Sequence, residues 1–296
     1  MILLTGGTGQ VGRSLLALAQ AQSLPLVAPT RDALDLADPR SIAAYLARQP
    51  WSAIVNAGAY TAVDQAEQDQ QQAEAINAGA PGQLAAYCQD HAIPLLHLST
   101  DYVFSGDKPS PYLETDATAP LGVYGQSKCN GETAILATAC RAAIVRTAWV
   151  VSPYGKNFIK TMMRLAQQRE EIQVVADQHG SPTGAPDLAQ ALLVILTRML
   201  HDPQCPGGLY HATNHGETTW AGLARKVMQV SAQRGGPSAR IVEIGTEAYP
   251  TAAKRPKNSR LNCDRLQQDW GITLRPWPLM VEDCVTALLN EQGAQS

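Results

Sequence analysis

The chain opens on a short apolar stretch, residues 1–5, that runs straight into Gly6-Gly7-Thr8-Gly9-Gln10-Val11-Gly12 and then into a segment of helical composition. Few features constrain a fold more. Glycines at 6, 9 and 12 let the backbone turn tightly and let a pyrophosphate come close to it. A helix that starts there offers the anion unpaired N–H groups and the positive end of its dipole. A glycine pattern alone is weak evidence. Its place after the first strand of a βαβ series makes Gly6, Gly9 and Gly12 the expected phosphate turn of a dinucleotide site.

The series itself is legible. Further apolar strands are expected at 25–28, 53–57, 94–99 and 142–147, with helices between them, for instance over 11–22 and 70–90. Strands that are apolar throughout and alternate with helices predict a parallel sheet covered on both faces, a Rossmann-type doubly wound α/β fold. Asp38-Pro39 is a helix start, an N-cap followed by proline at the first helical position. After about residue 150 the pattern loosens and Gly and Pro become frequent, although helices are still expected over 187–200 and 220–232. The expected division is a nucleotide-binding domain over 1–150 and a smaller, mainly substrate-binding domain over 151–296, with the chain free to cross back.

Composition narrows the function classes. The 296 residues are 45% apolar and 17% charged, enough for a sizeable core, and the net charge of −3 gives no basic face for nucleic acid. The longest later apolar run, 191–196, falls far short of the roughly 18 residues of a membrane span. No basic segment precedes residues 1–5, so no signal peptide is expected. Six scattered cysteines without a C-x-x-C pair read as reduced thiols of a cytoplasmic enzyme.

The second strand ends near Pro29-Thr30-Arg31. An arginine there suits the 2′-phosphate of NADPH, whereas an acidic residue suits a free ribose hydroxyl. Arg31 leans toward NADPH; Asp32 and Asp35 leave NADH open.

Tyr124-Gly125-Gln126-Ser127-Lys128 is the second anchor. Tyr and Lys four apart share one helix face. Reducing a ketone needs a hydride on carbon and a proton on oxygen, and a phenol can give that proton. An ammonium about 4 Å away lowers a phenol by about three pKa units, toward working pH. Thr100 stands at the end of the fourth strand, where ligand sites of doubly wound sheets lie. Its hydroxyl is a candidate to orient the substrate oxygen.

Together with Ser99-Thr100-Asp101-Tyr102-Val103-Phe104, Arg146-Thr147-Ala148-Trp149-Val150 and Gly180-Ser181-Pro182-Thr183-Gly184, these residues resemble the extended short-chain dehydrogenase/reductase family. Within it they are similar to the dTDP-4-dehydrorhamnose reductases, over residues 1 to about 289. The resemblance implies NAD(P)H-dependent reduction of the C4 keto group of dTDP-4-dehydro-L-rhamnose. It implies that Tyr124 is the proton donor, that Lys128 holds the nicotinamide ribose and tunes Tyr124, and that Thr100 assists. It also implies that Gln10 and Val11 line the pyrophosphate turn with Gly9, and that Asp35 and Leu36 flank the adenine. Ala59, Tyr60 and Thr61 would meet the cofactor near its ribose, and Asp101 and Trp149 the sugar nucleotide. Dehydratases of the same superfamily follow the threonine with Asp-Glu. Tyr102 stands in place of that glutamate, which favours reduction over elimination.

One departure concerns metal. Some of these reductases hold Mg²⁺ through glutamates at a dimer interface, but Ser14 and Pro186 stand at two of those places and Glu291 alone remains. No bound metal is expected, and the chain is expected as a monomer or a homodimer. Arg255, in Lys254-Arg255-Pro256-Lys257, is a candidate to neutralise the substrate diphosphate, and with Ser259 it fits the family's Arg-Pro-x-x-Ser stretch; a solvated loop is the other reading. His97 reads as a satisfied core residue, and His211 with His215 is not expected to bind metal. Two other functions stay open: a non-catalytic NADP-binding regulatory subunit, and a reductase or epimerase of another nucleotide-sugar.

Overall fold

Along the first strand Ile2 and Leu4 face one side of the sheet and Leu3 the other, and all three are buried. That two-sided burial is what a central parallel strand requires. The computed structural model describes residues 1–293. In chain order it runs β1 (Ile2–Thr5), α1 (Gln10–Ala21), β2 (Leu26–Val27), α2 (Pro39–Leu46), β3 (Ala53–Asn56), α3 (Val63–Ala66) and α4 (Gln70–Glu74). A π turn (Ala75–Gly79) leads into α5 (Ala80–Asp90), then β4 (Leu95–Thr100), α6 (Val123–Leu136) and β5 (Ala142–Thr147). The later part holds β6 (Val150–Val151), α7 (Phe158–Ala166), β7 (Glu171–Val175), β8 (His179–Gly180), β9 (Thr183–Gly184) and α8 (Ala185–His201). It ends with β10 (Gly208–His211), β11 (Thr218–Thr219), α9 (Trp220–Gln233), β12 (Arg240–Ile244), β13 (Asn258–Ser259), α10 (Asp264–Trp270) and α11 (Trp277–Gly293).

Six strands form one sheet in the order β10-β5-β4-β3-β1-β2, every neighbouring pair parallel. The winding reverses beside β1: β2 lies on one side, β3 and its successors on the other. In a doubly wound sheet the crevice for a ligand opens there, at the carboxyl ends of the strands. Helices cover both faces. Leu3, Ile54, Leu95 and Ile144 pack under α2 and α5, whereas Leu4, Val55, Leu96 and Val145 pack under α1 and α8. Each fully buried aliphatic of this kind contributes about 1.5–3 kcal/mol.

Sequence order and layer do not coincide. The sixth strand, β10, comes from the later half and pairs with β5 from Gly208↔Ala143 to His211↔Arg146. Helix α8 packs its buried Leu188, Leu192, Ile195 and Leu196 in the same core as α1. So the chain crosses back. A second core gathers Val151, Ile159, Met163, Val227, Val281 and Val285 from β6, α7, α9 and α11, flanked by the β7–β12 pair.

The expected helix over 70–90 is interrupted. The π turn at Ala75–Gly79 inserts one residue per turn too many, which aims the buried Asn77 side chain out of the helix line. Asp38 caps α2 as expected, accepting from the Arg40 N–H at 2.9 Å with Pro39 in the first turn.

Candidate active site

The glycine turn is built by backbone geometry. Gly6 adopts φ +70°, and a Cβ there would lie 2.6 Å from the Ala57 backbone at the end of β3. A Cβ on Gly12 would overlap the Gly6 carbonyl. Gly9 stands at the N-cap of α1 with no side chain to cap it, so the helix's first N–H groups face the crevice unclaimed by any side chain. This donor set and this close approach fit a dinucleotide pyrophosphate.

From the turn a single cavity of about 630 Å³ runs to the ends of β4 and β5. Its wall includes Gly6, Gly9, Gln10, Val11 and Gly12, then Arg31, Asp35 and Leu36, then Ala59 and Thr61. At its far end stand Thr100, Asp101, Tyr124, Lys128 and Trp149. Two expected site residues are not on that wall. The Tyr60 backbone N–H donates to Asn77 Oδ1, its carbonyl accepts from Asn77 Nδ2, and its hydroxyl donates to Asp69 at 3.2 Å. Arg255 pairs with Asp64 at 2.6 Å and lies 6.0 Å from the Tyr102 ring centroid.

Helix α6 carries the Tyr124/Lys128 pair and is held from outside. Gly122 at its N-cap has no side chain, and Glu67 takes the role by accepting from the Val123 N–H at 2.9 Å. Asn77 donates to Ser127 Oγ at 3.0 Å. Glu132 receives a two-pronged contact from Arg146 of β5, at 2.8 and 2.6 Å, both side chains buried. Of these anchors the sequence singled out only Arg146, as part of a motif and without this role. The signal available was only that Asn77 and Glu132 are polar residues within helical segments.

Lys128 is held from the strand side of the site. Its Nζ donates to the Leu98 carbonyl at 2.6 Å and lies 3.3 Å from His97 Nε2. Burial pushes Tyr124 up to about 12, with the neighbouring Thr100 hydroxyl pulling the other way. Burial lowers Lys128 to about 8, opposed by the Glu132 charge. At neutral pH the phenol therefore keeps its proton and the amine is charged. Thr100 donates to Asp101 Oδ1 at 3.0 Å, while Asp101 Oδ2 is buried without a partner and burial raises that carboxyl to about 6.

Two second-core residues close the far side. Trp149 sits at φ +49°, unusual for a bulky residue, and stacks on Trp220 with centroids 3.6 Å apart. The Gln10 side chain donates to the Val150 carbonyl and accepts from Ser152 Oγ and Asn157 Nδ2. It thus ties the glycine turn to the 150–157 segment. At the two positions where the resemblance would place glutamates, Ser14 Oγ donates to the Gln10 carbonyl and Pro186 lies in the first turn of α8.

A family model described as the RmlD substrate binding domain matches residues 1–290. The chain belongs to this family. The RmlD family member is similar to the dTDP-4-dehydrorhamnose reductase of Sinorhizobium fredii (strain NBRC 101917 / NGR234), 40% identical over 98% of both chains. It is 42% identical to the dTDP-4-dehydrorhamnose reductase of Escherichia coli (strain K12), over 98% of this chain and 97% of the other. A solved structure of dTDP-4-dehydrorhamnose reductase from Bacillus anthracis str. Ames in complex with NADP is 32% identical, with a TM-score of 0.88 over 97% of this chain and 98% of that one. The family match spans residues 1–290, and the expected fold is shared with that structure over 97% of this chain.

Proposed function

We propose that this protein is an oxidoreductase that reduces the C4 keto group of dTDP-4-dehydro-L-rhamnose to give dTDP-L-rhamnose. NADPH is the cofactor this reading favours, with NADH as the alternative. The observation that carries this reading is the single cavity joining the glycine turn to Thr100, Tyr124 and Lys128.

Bound NADPH supplies the hydride. The rest is done by this chain. The Gly6–Gly12 turn and the α1 N-terminus hold the pyrophosphate. Thr100 Oγ1 orients the keto oxygen. Tyr124 gives its proton to that oxygen as the alkoxide develops, and the Lys128 ammonium stabilises the phenolate left behind. Because burial alone favours the neutral phenol, the ammonium must act in the reacting complex, where it offsets the cost of phenolate charge. Trp149, stacked on Trp220, offers the sugar nucleotide a flat apolar surface. Tyr102, in place of a glutamate, supports reduction over elimination, which would use a base at that position. Six free cysteines support a reducing cytoplasmic setting.

The direct test is to mix the protein with NADPH and dTDP-4-dehydro-L-rhamnose, follow loss of the reduced cofactor and identify the product. Turnover yielding dTDP-L-rhamnose is the expected result. Tight cofactor binding without turnover on any keto sugar would instead favour a regulatory subunit, and faster turnover on another nucleotide-sugar would reassign the substrate. Arg31, 72% exposed at the cavity mouth, carries the cofactor preference. Equal efficiency with NADH and NADPH would remove that role.

A further inference from the structure

Beneath the cavity floor runs a buried polar string that packing alone does not require. His97, in the middle of β4, is fully buried among apolar strand residues. Both its ring nitrogens are engaged: Nδ1 lies 3.0 Å from Asn56 Nδ2 and Nε2 lies 3.3 Å from Lys128 Nζ. Behind Asn56, its Oδ1 accepts from Thr5 Oγ1 at 2.5 Å, and Thr5 Oγ1 accepts from the Gly58 N–H at 3.1 Å. Side chains from β1, β3, β4 and α6 thus form one chain of donors and acceptors that ends on the amine. A neutral imidazole has one donor and one acceptor. With Asn56 donating to Nδ1, the ring proton sits on Nε2 and points at Lys128, which suits a free amine. With the Asn56 amide turned over, Nδ1–H donates to its oxygen, Nε2 accepts from an ammonium, and Thr5 Oγ1 accepts from the amide N–H in place of donating to its oxygen.

We propose that His97 is a positioning residue for Lys128: braced by Asn56 and Thr5, its imidazole accepts from the ammonium or donates to the free amine, and so sets where the amine changes charge. The inference rests on the reading of Tyr124 and Lys128 as the reducing pair. The other groups facing that amine are few. The Leu98 carbonyl accepts from it, and Glu132, one turn on, is already held by Arg146 of β5. Tyr124 on α6 and Asp101 at the end of β4 line the same cavity end. Burial and the Lys128 charge keep His97 well below the ordinary histidine range, so the ring itself stays neutral while the amine titrates.

A buried ammonium loses more from a missing acceptor than a free amine loses from a missing donor, because bonds to charged groups are the stronger ones. His97→Asn, whose amide is too short to reach Nζ, should therefore shift the alkaline limb of the kcat/KM profile down by about one pH unit. His97→Gln, whose amide oxygen can stand near the Nε2 position, should restore it. A limb that stays put in folded His97→Asn, or that moves equally in both variants, overturns the proposal. The second readout needs neither variant nor turnover. In protein labelled with ¹⁵N-histidine, long-range ¹H–¹⁵N spectra report the ring tautomer. The expected switch runs from Nδ1–H to Nε2–H as pH rises through about 8, where the amine loses its charge, and disappears in Lys128→Met. A single tautomer across that range overturns the proposal. If the wild type reduced no keto sugar, the function reading would fail, and the tautomer titration would still decide the role of His97.

Discussion

The glycine turn and helix α6 face each other across the cavity, and they are held in place by different physics. The turn is fixed by its own backbone: Gly6 at positive φ, Gly12 pressed against the Gly6 carbonyl, and no side-chain cap at Gly9. Helix α6 is fixed by side chains that come from elsewhere. Glu67 caps it, Asn77 holds Ser127, Arg146 holds Glu132 and His97 meets Lys128. A site made by local backbone rules fails locally when it is altered. A site made by remote anchors transmits a distant loss to the reacting groups.

The contrast is sharpest at Arg146. Arg146→Ala leaves the Glu132 carboxylate buried and unpaired, and the expected cost is about 3–5 kcal/mol in a urea titration. Part of that loss should return when Glu132→Gln is added, because the stranded charge is then gone. A loss below about 1 kcal/mol would mean that α6 does not depend on this anchor. Gly12→Ala is the counterpart on the other wall. The added methyl collides with the Gly6 carbonyl, and cofactor affinity should fall by about 100-fold, or about 2.7 kcal/mol, measured by fluorescence titration. Unchanged affinity in that variant would show that the turn has room to spare.

A smaller effect separates charge from shape at the strand end. Burial raises the Asp101 carboxyl to about 6, above its unfolded value, so the stability it contributes is full below about pH 4 and is lost as pH rises through about 6. Asp101→Asn removes that loss. The variant should match wild type near pH 4 and exceed it by roughly 3 kcal/mol near pH 8. A gain that does not depend on pH would trace to packing instead of charge.

The same contrast explains what the sequence made legible. Gly6, Gly9 and Gly12 follow local rules of turn and helix geometry, so they stand out in seven consecutive residues. The Tyr124/Lys128 spacing is likewise a property of one helix. Uniformly apolar strands announced the parallel sheet and its two covered faces. The anchors were hidden because each pairs with a residue far along the chain: Glu67 with Val123, Asn77 with Ser127, Arg146 with Glu132. Gln10 was read as lining the turn, yet its side chain reaches across to Ser152 and Asn157, a contact that exists only once the two cores are packed. The break in the helix over 70–90 left only weak marks in the composition, Asn77 and Gly79 just ahead of Pro81, and the partners of Asn77, Tyr60 and Ser127, come from outside the helix. The Tyr124/Lys128 spacing likewise does not show that the amine also meets the Leu98 carbonyl.

The central claim is that the proton added to the keto oxygen comes from the Tyr124 phenol. The most direct test is a single-turnover measurement of hydride transfer in Tyr124→Phe, alongside the cofactor dissociation constant. The account predicts that hydride transfer slows by about 10²–10⁴-fold while cofactor affinity stays within about threefold of wild type. Hydride transfer at the wild-type rate in that variant would contradict it.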